Sequence, residues 1–290
     1  MKRQLFRLGA ALTLVLLLFT ATWRNGQRRL ARLVQEFEEY SGTRLVFDRR
    51  KLPPGQYHDK MPPLPRGRRA LAAAICLREA RKYPPGYLGR AGLEAIGVFA
   101  ACVGKRGDGY RPYNAALGGY RYYGIWNQAN ACAAAYYTDH QLALTFHHEV
   151  FHHIDAAAER AAGGDPDRDG DRRYREALAG GAPYPTPAIR PTDLAAVKQV
   201  SQGDVLEGAV GEYAERAIGE DHAETARYLM TTLADALVQV VERPDLPGSQ
   251  RILYCLQRYG RAVEDAPGID WFVDVALGRT AASTENWFPD

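Results

Sequence analysis

The sequence predicts an α+β fold: a small mixed sheet, then one long helix bearing an HExxH motif, then a helical C-terminal lobe. Three observations carry this expectation. Strand-like and helix-like segments alternate up to residue 137. A histidine-rich stretch beginning at Asp139 has helical spacing. From Asp193 onward helical periodicity dominates.

In order along the chain, Leu30, Leu33, Val34 and Phe37 give residues 28–41 an apolar helical stripe, and Gly42 supplies a stop. TRLVFD, 43–48, reads as a strand, and the proline-rich 52–66 as loop. A second helix is expected over 68–83, ended by Pro84-Pro85-Gly86. AIGVFAACV, 95–103, has the look of a buried strand. The glycine-rich 104–119 reads as turns, and the tyrosine-rich 120–137 as one or two strands. A helix follows from Asp139 to Ala157, then a long Gly-, Pro- and Asp-rich loop over 163–191. Helices are expected over 203–216, 220–242, 249–265 and 269–277. There are no internal repeats. The chain divides into a targeting segment (1–27), an N-terminal α/β segment (28–92) and the motif-bearing domain (93–290).

A chain of 290 residues, 46% hydrophobic, can bury a sizeable core. Its net charge of +3, partly concentrated at the N-terminus, speaks against a nucleic-acid-binding protein. Lys2, Arg3 and Arg7 precede the apolar run Leu8 to Trp23, which reads as a signal peptide or signal anchor. No A-x-A cleavage site and no lipid-accepting cysteine follow, so an uncleaved membrane anchor is favoured, with an extracytoplasmic or secreted body. Arginines flank both sides and leave the orientation open. Cys76, Cys102, Cys132 and Cys255 contain no CxxC pair. In an exported chain they allow two disulfides in three connectivities; otherwise they are four buried thiols.

Register decides the chemistry of TFHHEVFHHID, 145–155. Two imidazoles share a helix face at a spacing of four, which only His148 and His152 satisfy. His147 and His153 have no histidine four residues away and receive no role. Glu149 directly follows the first ligand histidine, placed to take a proton from water as it attacks a carbonyl. Phe146, Val150 and Ala157 fall on the opposite side, where the helix would meet a core. The competing reading is a chance HExxH on an ordinary surface helix.

A third ligand is needed. Asp155 lies seven residues after His148 on the same face. Glu220 and Glu224, four apart, offer one carboxylate for the metal and another to accept the free N–H of a ligand histidine. Glu220 is preferred, because ligands on separate helices build a tetrahedron more easily. The alternative is a solvated acidic helix start. Separately, DPDRDGDRRYRE, 165–176, fits a calcium loop with oxygens from Asp165, Asp167, Asp169 and Glu176 and a turn at Gly170. Its arginines and glycine flank argue for a solvated loop instead.

HEVFHHID, with a downstream Tyr-Ala and Glu-Asp-x-Ala-Glu, resembles the gluzincin metallopeptidases. The likeness is to the anthrax lethal factor catalytic domain and to putative bacterial zinc-binding metallopeptidase lipoproteins. It covers roughly 95–230. It implies a zincin-like domain with His148, His152 and Glu220 on zinc and Glu149 as general base. It also implies Tyr213, seven residues before Glu220, as oxyanion donor, with Asp155 and Glu224 behind the ligands. Peptide or protein would be the substrate, bound along an edge strand for which 128–138 is the candidate. The chain departs from the lipoprotein members in lacking their lipid-bearing cysteine. A non-proteolytic zinc-binding module, and a zinc amidohydrolase acting on a cell-wall component, are the alternatives.

Overall fold

The computed structural model describes residues 24–53, 61–106, 109–112, 115–117, 131–162 and 174–280. The expected targeting run therefore lies outside the described residues except for 24–27, which belong to a helix, α1 (24–41). Leu33 and Phe37, one turn apart, are wholly buried on its inner face. Gly42 ends it at φ 70°, a left-handed conformation suited to glycine. A Cβ on the facing Gly89 would lie 2.4 Å from the Gly42 carbonyl oxygen, so the two glycines let these backbones touch.

The main sheet has the order β1 (Arg44–Val46), β2 (Ala95–Phe99), β6 (Ala131–Ala135), β5 (Ala115–Leu117). The first three run parallel, and β5 pairs antiparallel to β6. β3 (Val103–Arg106) and β4 (Gly109–Pro112) form a separate antiparallel pair. The expected mixed sheet is present. However, residues expected as turns over 104–119 contribute strands, because backbone pairing with β6 and within the β3–β4 pair overrides glycine content. Ile96, Val98, Cys132 and Ala134 face the principal core, whereas Ala95, Phe99, Ala131, Ala133 and Ala135 face a smaller one with Val46, Leu52 and Met61. This alternation is the period-two pleat.

Helices cover the larger face: α2 (Arg66–Ala80), α3 (Tyr87–Arg90) and α4 (Asp139–Ala161). After them come α5 (174–178), α6 (Pro191–Val200), α7 (Gly211–Ala214) and α8 (Ile218–Thr231). α9 (Leu233–Glu242), α10 (Pro247–Arg261) and α11 (Ile269–Ala276) complete the lobe. The fold is thus mixed α+β and mostly helical. Small alanines on β6 let α4 lie close against the sheet, while α8 and α10 pack on its other sides. Leu33, Ile96, Val150, Leu229 and Phe272 all belong to one buried cluster, so a single core joins α1 to α11.

Two helical expectations are corrected. Of 203–216 only α7 is helical, and 201–210 is irregular. The expected helix 220–242 breaks at Thr232, whose backbone leaves the helical region at ψ 45°. The Thr231 and Thr232 hydroxyls bond back to carbonyls one turn earlier, 2.6 Å to Arg227 and 2.7 Å to Tyr228. All four cysteines are free, buried thiols. Among the described residues no helix is long and apolar enough to cross a membrane.

Candidate metal centre

The site is built on α4, capped at its start by the Thr138 side chain, which accepts from Gln141 N at 3.1 Å. Phe146, Val150 and Ala157 are buried, as the helical stripe requires. So too are His147, His148, Glu149 and His153, which places the motif inside the molecule rather than on a solvated helix.

The unassigned histidines have structural partners. His147 Nε2 lies 2.9 Å from Glu79 Oε2, and its Nδ1 lies 2.8 Å from the Tyr83 hydroxyl. A carboxylate only accepts, so Nε2 carries the proton and Nδ1 receives the tyrosine's. Burial drives this ring down to about 4 against the pull of Glu79, keeping it neutral. Glu79, though buried, is held ionised by Lys82, His147 and Arg78. His153 Nε2 donates to the Ala131 carbonyl at 3.0 Å, tying α4 to β6, and burial lowers its pKa to about 3. These two histidines, at either end of the motif, fix the rotation of α4 about its axis.

That rotation presents His148 and His152 to α8. Glu220, in the first turn of α8, places Oε2 3.2 Å from His148 Nε2 and 3.6 Å from His152 Nε2. One donor atom from each of these residues lies within 4.8 Å of the others. Tetrahedral ligation at ~2.0–2.2 Å puts neighbouring donors ~3.3 Å apart, close to the two Glu220 distances. Glu220 Oε2 is buried yet makes no hydrogen bond among the described residues, despite its nearness to two ring nitrogens. An acceptor aimed between two imidazoles, rather than along either N–H, is the arrangement a shared cation would satisfy. Two imidazole nitrogens and one carboxylate oxygen are a donor set that could hold a metal ion.

Glu224, one turn further on, puts Oε1 2.8 Å from His148 Nδ1, off the axis of a directed hydrogen bond but within ion-pair range. Its other oxygen is 2.5 Å from Arg227. Burial alone lowers the His148 pKa, but Glu220 and Glu224 reverse this and raise it to about 9. Against the effect of burial, His148 and His152 keep Glu220 ionised well below the usual carboxylate range.

Tyr213 on α7 lies with its ring centroid 6.0 Å from that of His148. Burial, then the carboxylates of Glu220 and Glu149, raise its phenol pKa. Asp155 stands apart from the cluster. Its oxygens meet His222 Nδ1 at 3.3 Å and Arg258 Nε at 2.9 Å. Of the calcium-loop residues, Asp165, Asp167 and Asp169 lie outside the described residues, and Glu176 lies on α5.

Of the candidate segment 128–138, residues 128–130 lie outside the described residues, and β6 does not supply an edge. β6 is flanked on both sides, by β2 and β5, because β5 caps the sheet beyond it. Among the described residues the edge on that side of the sheet is β5.

Sequence reasoning did not reach His222 or its surroundings. Its ring lies tilted against that of Tyr254, with centroids 4.0 Å apart, and edge-on to Tyr174 at 4.7 Å. Tyr174 also bonds Asp221, which takes Arg251 Nε at 3.0 Å. The one available signal was that His222 sits on α8 between the two glutamates and turns the opposite way, towards α10. No family model, no curated protein and no solved structure matches the chain.

Proposed function

We propose that this chain is a zinc-dependent peptidase of the zincin type, exported or membrane-anchored, acting on peptide or protein substrates. The observation that carries the reading is the meeting of His148, His152 and Glu220 donors within 4.8 Å, with Glu149 buried directly beside the first of them. Zinc bound there would supply Lewis-acid polarisation of a water molecule and of the scissile carbonyl.

The rest falls to the chain's own groups. Glu149 takes the proton as water adds to the carbonyl carbon and returns it to the leaving amine nitrogen. The Tyr213 hydroxyl donates to the oxygen on which negative charge grows. Glu224 holds the His148 ring in place through Nδ1. An extended substrate adds to the sheet along β5, whose outer side is, among the described residues, the edge nearest α4.

Replacing Glu149 by Gln tests the reading: the variant keeps zinc and loses peptide hydrolysis. Loss of zinc together with hydrolysis would contradict the role given to Glu149. An intact general base also favours catalysis over a purely zinc-binding module, which has no need of one.

A further inference from the structure

Between α6 and α7 the chain crosses the helical lobe without regular structure, over residues 201–210. Several of its backbone polar groups nevertheless bond side chains of α9 and the start of α10. Asp235 Oδ1 accepts from Ser201 Oγ at 2.5 Å, from Gln202 N at 2.6 Å and from Gly203 N at 2.9 Å. One turn later, the Gln239 amide grips Leu206 at both ends: Oε1 accepts its N–H at 2.7 Å, and Nε2 donates to its carbonyl at 2.8 Å. This is the pairing a neighbouring β-strand would offer, supplied by one side chain. Gln239 Nε2 also donates to Ser249 Oγ at 3.0 Å, and Gly248 N donates to the Glu207 carbonyl at 3.2 Å. A Cβ on Gly248 would fall 1.6 Å from the Leu206 carbonyl oxygen, so this crossing tolerates only glycine.

The strap leads directly into α7. That helix has four residues, of which only Ala214 is buried. Tyr213 itself is 44% exposed. Its ring meets His148 on one side and the Arg216 guanidinium at 4.9 Å on another. So short an element does not hold its own position. Its place is set by its packing against α8 and by the buried clamp upstream, which fixes the path of the strap.

We propose that Gln239, together with Gly248, is a positioning residue: it acts through the 201–210 strap to hold Tyr213 against the metal cluster. It tunes turnover while touching neither metal ligands nor substrate. The consequence for turnover rests on the peptidase reading; the placement of Tyr213 does not.

The experiment uses the full chain loaded with zinc, carrying Gln239→Ala or Gln239→Leu, each with and without Tyr213→Phe. With Tyr213 present, kcat falls ~10–100-fold, the scale of a displaced oxyanion donor, while KM and zinc content stay near wild type. With Phe at 213, neither substitution costs anything further. Equal losses in both backgrounds, or loss of zinc, would overturn the proposal. A second readout needs no turnover: 3-fluorotyrosine placed at 213 reports zinc addition by its fluorine resonance. The zinc-induced shift is expected in the parent and lost in Gln239→Ala at equal zinc content. The same shift in both overturns the proposal. A fluorine result as expected in a chain that hydrolyses no peptide supports the strap and rejects the peptidase reading alone.

Discussion

Glu220 and Glu224 hold one imidazole between them: Glu220 Oε2 lies 3.2 Å from His148 Nε2, and Glu224 Oε1 lies 2.8 Å from Nδ1 of the same ring. Two carboxylates one turn apart on α8 thus address opposite edges of a residue on α4. In the proposed centre the first is a donor to the cluster, and the second orients a donor.

Glu224→Ala is therefore expected to weaken zinc binding ~10–100-fold, the usual cost of losing a group behind a ligand. Glu220→Ala should weaken it further still. Competition against a chromogenic chelator measures both. Equal affinity in Glu224→Ala and wild type would remove the orienting role.

Asp155 should behave differently. It faces His222 and the buried Arg258 rather than the cluster. Asp155→Ala removes the carboxylate from beside a buried guanidinium, which costs about 3–5 kcal/mol of stability. Zinc affinity should change less than in Glu220→Ala. Urea unfolding alongside zinc titration separates the two effects, and the opposite ranking would make Asp155 the third ligand.

The pH dependence follows from His148. In the metal-free chain its pKa stands at about 9 because Glu220 and Glu224 outweigh burial, against 6.5 for an ordinary histidine. A raised folded-state pKa contributes stability that is complete below the unfolded value and is lost as pH rises through the folded one. The metal-free chain should thus lose this contribution between about 6.5 and about 9. Zinc requires the ring neutral, so its affinity should climb over the same window as a proton is displaced. Glu224→Gln should move that climb to lower pH. Calorimetry in buffers of different protonation enthalpy counts the proton, and no proton released near neutral pH would contradict the account.

The part of the site that was legible in the sequence is the part set by helical geometry. A spacing of four singles out His148 and His152 among four histidines, and the same spacing relates Glu220 to Glu224. What escaped was set by distant groups. Residues 203–210 carry apolar spacing suggestive of a helix, yet Asp235 and Gln239, some thirty positions away, supply competing bonds. His147 looked idle because its partners, Glu79 and Tyr83, lie on and just after α2. The edge was misplaced because three residues of a glycine-rich stretch, β5, pair beyond β6. None of these leaves a periodic trace.

The account stands most directly on what surrounds the metal. X-ray absorption at the zinc K-edge of the zinc-loaded chain should show two imidazoles at ~2.0–2.1 Å and light-atom oxygen at ~2.0–2.2 Å. No sulfur should appear, and Glu220→Ala should alter the oxygen shell alone. Sulfur at ~2.3 Å, a single imidazole, or a spectrum indifferent to Glu220→Ala would contradict it.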